Sequence, residues 1–235
     1  MRFRTEYLLL IVATVACSDA PRRKTETAAT MGSRMIRDSI RARAAARFAA
    51  RPDTLLAIAD SARTVGAGSA PLWVIFVGHL QCAACTDAVR DLIPMLRREY
   101  VQPGRIHFAY MNAAASDTNY NARFAVHAVY CAALGGKFWP MLDSVAATRE
   151  EWASMPDPQP RFDSLAVRLG ANSALQSKCT SRGLMLPLVE WDQERVAAAA
   201  VTKLPTLLIG SEALSGDLSP SRVRSAIDAA LALKR

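Results

Sequence analysis

Short apolar runs alternate with helical periodicities along the chain from residue 70 onward. The continuous run at 72–77 is rich in β-branched and aromatic residues and predicts a buried central strand, and 106–111 predicts a second strand. Between them, apolar positions recur with the period of a helix over 82–100, which Pro94 is expected to kink. Strand, helix and strand in this order indicate a parallel crossover unit.

The next ninety residues have a helical pattern. Clusters of Gly and Pro separate five segments that suit helices, at 117–134, 137–148, 161–169, 172–180 and 188–199. The chain then returns to a strand at 205–210, with a short strand near 212–214 and a final helix capped by Ser219 and Pro220. This pattern predicts an α/β protein in which a helical region interrupts a sheet.

The first sixteen residues combine a basic start with an apolar core. Arg2 and Arg4 precede about ten apolar residues, which are too few to span a bilayer and are typical of an export signal. A buried N-terminal helix is the alternative interpretation. We interpret 1–16 as a signal peptide and expect an exported protein.

The segment after the signal suggests an anchor. The tripeptide Val-Ala-Cys that ends at Cys17 resembles the lipobox of bacterial lipoproteins, whose cysteine is acylated and holds the protein on the membrane. Thr14 stands where that pattern usually has Leu, so cleavage to a soluble periplasmic protein is the alternative. Residues 17–35 are polar and predict a tether, and 36–65 predict a helical segment broken at Pro52.

The net charge of +8 raises the question of a nucleic-acid partner. Residues 64–235 hold 17 Lys and Arg against 15 Asp and Glu, a net charge of +2, so most of the excess lies before them. Aromatic residues are not interleaved with a basic patch, as binding of single strands would require. We therefore expect no nucleic-acid partner.

Five cysteines are an awkward number for an exported protein, where thiols are usually paired. If Cys17 carries lipid, four remain: Cys82 and Cys85 in a C-x-x-C, with Cys131 and Cys179 well apart. Four cysteines allow three pairings, and spacing alone does not choose among them.

The C-x-x-C lies at the start of a predicted helix. The helix dipole and its unpaired N–H groups favour a thiolate at Cys82, the expected nucleophile, and Cys85 lies one turn later as the resolving cysteine. One half of a zinc site has the same spacing, but the sequence has no second C-x-x-C or H-x₃-H, and its three histidines do not repeat at ligand spacing. We expect no metal and no other cofactor.

Three separated motifs give this site a context. They are Gln81-Cys82-Ala83-Ala84-Cys85, Gly136-Lys137-Phe138-Trp139 and Leu204-Pro205-Thr206. With the order of strands and helices, they resemble the DsbA-type thiol-disulfide oxidoreductases of the thioredoxin superfamily over about 70–235. The resemblance implies a thioredoxin-like fold in two parts, 70–112 and 201–235, around an all-helical insertion at 113–200.

The resemblance also implies roles for single residues. Pro205 is expected to be cis and to lie beside Cys82, leaving the backbone of Leu204 free to pair with an extended substrate. A trans proline that opens an edge strand is the alternative. Cys131 and Cys179 resemble a cysteine pair in the helical insertion of some relatives, which favours disulfides 82–85 and 131–179 over two buried, inert thiols.

The chain departs from the family pattern around its active-site motif. Phe76 stands where relatives often have an acidic residue that relays protons. His79 stands where many have Asp, and a protonated imidazole there would lower the pKa of Cys82, although an ordinary loop histidine is the simpler interpretation. Ala83 and Ala84 offer no group to tune the thiolate, so we expect a less extreme oxidant than the strongest members.

The resemblance implies an exported oxidase of protein thiols on the periplasmic side of the envelope. Its partners would be cysteine-containing protein substrates and a membrane redox protein that recycles the C-x-x-C. The same residues would serve a disulfide reductase or isomerase, and the sequence does not set the direction. Two other classes stay open: a non-catalytic binding lipoprotein stapled by disulfides, and a metallochaperone using Cys82, Cys85 and His79.

Overall fold

A computed structural model describes residues 54–113 and 120–234. The interpreted signal peptide, the tether and Cys17 lie outside the described residues, as does most of the 36–65 segment and the first part of the helix expected from residue 117. No helix of the described part is long and apolar enough to cross a bilayer.

One five-stranded sheet forms the centre of the molecule, with strand order β1-β3-β2-β4-β5. The strands are β1 (Thr64–Val65), β2 (Leu72–Gly78), β3 (Ile106–Asn112), β4 (Thr206–Ile209) and β5 (Glu212–Ser215). β2 and β3 are parallel, as the crossover unit predicts, while the other neighbours pair antiparallel. β1 is only two residues long and was not predicted.

Helices surround the sheet, and most of them lie between β3 and β4. They are α1 (Thr54–Ala62), α2 (Ala83–Leu96), α3 (Tyr120–Ala133), α4 (Phe138–Ala147), α5 (Arg149–Trp152), α6 (Gln159–Arg168), α7 (Ser173–Ser181), α8 (Leu186–Ala198) and α9 (Pro220–Ala232). α2 contains Pro94 and continues into a π-helical turn over Arg97–Val101. α3 to α8 form the helical region that the periodicity predicts, with the four-residue α5 as an addition.

Two local expectations are met only in part. The run at 72–77 was expected to be buried throughout, but Trp73 is 49% exposed and its ring stacks on His107 at 4.5 Å, because β2 alternates between a covered and a partly open face. Ser219 is the N-cap residue of α9 and Pro220 begins the helix, as predicted, but the Ser219 hydroxyl donates to Asp217 and forms no hydrogen bond with the helix.

A buried ionic network joins α1 to the body of the protein. The Arg63 guanidinium, 4% exposed, donates to the fully buried Asp192 carboxylate at 2.6 Å and also pairs with Asp60. Asp192 accepts further hydrogen bonds from the Tyr130 hydroxyl and from the Asn112 backbone N–H at 3.0 Å. Because buried charges need such partners, this network fixes the segment before the sheet.

A disulfide ties two helices of the helical region together. Cys131 of α3 is bonded to Cys179 of α7, and both are buried. His127 lies one turn before Cys131, and its Nε2 is 3.9 Å from the Cys131 sulfur. Burial, reinforced by the charge of Arg123, lowers the pKa of His127 to about 4, so its imidazole is neutral at pH 7.

Candidate active site

Cys82 occupies the N-cap position of α2. Its backbone is extended (φ −78°, ψ 118°), and its carbonyl accepts the N–H groups of Cys85 at 3.1 Å and Thr86 at 3.0 Å. The Cys82 sulfur accepts a hydrogen bond from the Cys85 N–H at 3.1 Å. An N-cap side chain that accepts such a bond stabilises negative charge, because the first N–H groups of a helix lack partners within it.

The two cysteines of the C-x-x-C differ in exposure to solvent. They are bonded to each other, with their Cα atoms 5.2 Å apart. Cys85 is 2% exposed, whereas Cys82 is half-buried. Cys82 is therefore the more accessible of the two cysteines to an incoming thiolate.

The floor of the site is aromatic. Phe76 is fully buried, stacks on Tyr110 with ring centroids 5.9 Å apart, and occupies the strand position where an acidic residue was considered. A Cβ on Gly78 would lie 2.8 Å from the Phe76 ring and 3.2 Å from the Cys85 Cβ, so only glycine fits between them. The Tyr110 hydroxyl donates to the Gly78 carbonyl at 3.3 Å, and burial raises the pKa of Tyr110, which keeps it protonated.

The loop that enters β4 reaches the same end of the sheet. The Leu204–Pro205 peptide bond is cis. The antiparallel register pairs Val77 with Thr206, which places Pro205 level with Gly78, the last residue of β2 before the loop to Cys82. The Thr206 hydroxyl bonds the Lys203 carbonyl at 2.6 Å and fixes this loop.

His79 acts on the site through its backbone. Its carbonyl accepts the Cys82 N–H at 3.2 Å. Burial lowers the pKa of His79, so at neutral pH the imidazole is uncharged and cannot stabilise a Cys82 thiolate as a cation would. The His79 Nδ1 atom is buried and has no hydrogen-bond partner among the described residues.

Gln81 joins the active-site segment to the helical region. Its side-chain amide donates to the Ala153 carbonyl at 2.8 Å, and its oxygen accepts the Ala122 N–H at 3.1 Å. Arg149 donates to the Gln81 carbonyl at 3.4 Å. The role of Gln81 is not predictable from its motif, because its partners lie far along the chain.

The second motif, Gly136 to Trp139, contributes two aromatic side chains to the core. Gly136 has φ +71°, a left-handed turn that starts α4. Phe138 and Trp139 are buried, and Trp139 packs between the Phe108 ring at 5.7 Å and the Arg97 guanidinium at 4.9 Å. These residues hold α4 against the sheet and the end of α2.

A metal site formed by Cys82, Cys85 and His79 is not present in the part of the chain that the structure describes. There, the one group of three residues with closely spaced ligand atoms comprises His127, Cys131 and Cys179.

Comparisons with known proteins agree with this architecture. Residues 59–229 match the profile of a family described as Thioredoxin. BdbD from Bacillus subtilis superposes with a TM-score of 0.65 at 15% identity, over 72% of this chain and 92% of that chain. α-DsbA1 from Wolbachia pipientis superposes with a TM-score of 0.64 at 14% identity, over 73% of this chain and 92% of that chain. MdbA from Corynebacterium diphtheriae is described as a thiol-disulfide oxidoreductase. It superposes with a TM-score of 0.57 at 13% identity, over 70% of this chain and 85% of that chain.

The chain belongs to the thioredoxin family, since the matched profile covers more than half of it. The predicted fold class is confirmed: a thioredoxin-like α/β fold with a helical domain inserted between β3 and β4. No curated protein sequence matched.

Proposed function

We propose that this protein is an exported dithiol-disulfide oxidoreductase that oxidises protein substrates through Cys82 and Cys85. The observation that carries the proposal is the asymmetric disulfide at the N-terminus of α2, with a reachable Cys82 and a buried Cys85. The solved structures that resemble the chain include a thiol-disulfide oxidoreductase, which supports the same chemistry.

The proposed reaction consists of two exchanges. A client thiolate attacks the Cys82 sulfur, a mixed disulfide forms, and the electron pair of the broken bond passes to the Cys85 sulfur, which takes up a proton. A second client thiolate attacks the client sulfur of the mixed disulfide, and Cys82 leaves as a thiolate. The client loses two electrons and becomes a disulfide, and the C-x-x-C gains them as a dithiol.

The direction of exchange depends on how well the Cys82 thiolate is stabilised. Its stabilisation comes from the Cys85 N–H and the helix terminus, while His79 supplies no charge at neutral pH and Ala83 and Ala84 supply no polar group. A stabilised thiolate makes the disulfide more oxidising. We therefore propose an oxidase weaker than the strongest relatives, and a reductase or isomerase with the same residues is the alternative.

Clients are proposed to bind along the loop before β4. The backbone of Leu204 forms no hydrogen bond to any described residue, and its neighbour Pro205 lies level with the end of β2. An extended client segment can pair with that free backbone beside Cys82, as in other forms of strand addition. His79, half-buried on the loop before Cys82, is proposed to contact the same segment.

The cellular setting is also a proposal. We propose that 1–16 is a signal peptide, that Cys17 is lipidated, and that 17–35 tethers the protein to the periplasmic side of the envelope, where a membrane partner recycles the C-x-x-C. The division into a helical segment (36–65), two thioredoxin-like parts (70–112 and 201–235) and an insertion (113–200) belongs to the same proposal.

A Cys85→Ala variant tests the chemistry. Without the resolving sulfur, the half-buried Cys82 should accumulate mixed disulfides with client proteins or with a cysteine peptide, which nonreducing electrophoresis and mass spectrometry would detect. Both variants also carry Cys17→Ser, and the Cys82→Ala variant, whose C-x-x-C keeps only the buried Cys85, is the matched control and should trap none. Equal trapping by both variants, or by neither, would contradict the proposal and favour a binding lipoprotein with structural disulfides.

A further inference from the structure

A second sulfur site lies inside the helical domain and has no part in the proposed exchange. The His127, Cys131 and Cys179 ligand atoms all lie within 4.8 Å of one another, and the three residues are 3%, 1% and 0% exposed. His127 and Cys131 are one turn apart on α3, and α7 brings Cys179 to them. In the oxidised protein the two sulfur atoms are bonded to each other and cannot hold an ion.

We propose that reduction of the Cys131–Cys179 disulfide creates a Cys₂His site for a divalent transition metal such as Zn²⁺. A dithiol reductant supplies two electrons and two protons and becomes a disulfide, while Cys131 and Cys179 become thiols. Metal binding then releases both thiol protons, and the two thiolates and the His127 Nε2 become ligands.

The distances suit this change. Zinc holds sulfur at about 2.3 Å and nitrogen at about 2.0–2.1 Å, so tetrahedral ligands lie about 3.5–3.8 Å from one another. The His127 Nε2 is already 3.9 Å from the Cys131 sulfur. Disulfide sulfur atoms are about 2.05 Å apart, so on reduction they need to separate by about 1.7 Å. Side-chain rotation can supply a movement of that size between Cα atoms 5.7 Å apart.

The surroundings provide a lone pair and an access route. The His127 Nε2 accepts the Met185 N–H at 3.3 Å, so this nitrogen carries no proton and is free to ligate when that bond is given up. His127 also lines a cavity of about 690 Å³, together with residues that include Phe124, Thr180 and Leu186. Three protein ligands beside a cavity leave the fourth position to water, as in exchangeable zinc sites.

The consequence is that the α3–α7 link survives a change of redox state. A disulfide would link α3 to α7 under oxidising conditions, and a metal ion would replace the disulfide under reducing conditions. The sequence does not indicate this site, because Cys179 is 48 residues from Cys131 and the three histidines do not repeat at ligand spacing.

The test uses the full chain carrying Cys17→Ser, Cys82→Ser and Cys85→Ser, so that Cys131 and Cys179 are the remaining cysteines. After anaerobic reduction with a phosphine, Co²⁺ is titrated as the probe, and thiolate-to-cobalt charge-transfer absorption reports binding. We expect one Co²⁺ per chain, displaced by Zn²⁺, and no signal from the oxidised protein.

A His127→Ala substitution in that background separates the site from adventitious thiol binding. It should weaken Co²⁺ binding at least about tenfold, the loss that even an outer-shell partner causes. His107→Ala, which removes a histidine of β3 outside the proposed site, is the matched control and should bind Co²⁺ as the parent does. Absence of binding by the reduced parent, or equal affinity with and without His127, would overturn the proposal. Equal affinity is also the result expected if reduction unfolds the domain and exposes two unstructured thiols.

Discussion

At the scale of single residues, Gly78 shows how tightly the floor of the site is packed. It lies at the end of β2, between the Phe76 ring and Cys85, and its carbonyl accepts bonds from the Tyr110 hydroxyl and the Ala113 N–H. The fully buried Phe76 ring has no room to move away. The close approach of Cys85 to the end of β2 thus depends on the absence of a side chain at Gly78.

We predict that Gly78→Ala destabilises the protein by about 1–3 kcal/mol, the usual cost of overpacking a core. Gly68→Ala is the matched control, because a Cβ there meets no atom within 4 Å, and it should change stability by less than about 0.5 kcal/mol. Equilibrium unfolding in urea, with both disulfides intact, measures both variants. Equal stability of the two variants would show that the packing beneath Cys85 is looser than described.

At the scale of elements, the Gln81 side chain links the loop before the active-site helix to the helical domain. The Gln81 side chain bonds the start of α3 through Ala122 and the residue after α5 through Ala153. Asn121 donates to the Met155 carbonyl at 2.7 Å and closes the same junction. The two parts therefore meet directly beside Cys82.

We predict that Gln81→Ala destabilises the protein by about 1–3 kcal/mol, because it leaves the Ala122 N–H without its partner. Gln102→Ala, at an exposed position after the π-helical turn, should have an effect within about 0.5 kcal/mol. Hydrogen exchange at Ala122 should also rise in the Gln81 variant and stay unchanged in the Gln102 variant. Unchanged hydrogen exchange at Ala122 in both variants would contradict the role of Gln81 in joining the active-site segment to the helical domain.

The elements also show which features local sequence predicts. β2, β3 and β4 were recovered because buried strands of at least four residues leave a continuous apolar run, and the long helices because their periodicity spans several turns. β1 and α5 are too short to leave such a signal. The partners of Gln81 could not be predicted, since they are 41 and 72 residues away and depend on tertiary packing.

At the scale of the whole molecule, the order of the motifs along the sequence predicted most of the fold. The C-x-x-C after a strand and the Pro205 loop before another predicted the two parts of the sheet, and the helices between them predicted the insertion. The Arg63–Asp192 network was not predicted, because it joins residues 129 apart and isolated charged residues are ordinary surface features in a sequence. Nor did the sequence predict the neutral His79, whose pKa depends on burial.

The most direct test concerns the ionisation of the Cys82 sulfur. In the Cys85→Ala variant, the rate of Cys82 alkylation is measured against pH, with mass spectrometry locating the modified residue. A sulfur held at the N-terminus of α2 should react with a midpoint clearly below the value of about 8.5 found for a free cysteine. A midpoint at or above about 8.5, or no reaction in the folded protein, would contradict the assignment of Cys82 as the redox-active nucleophile.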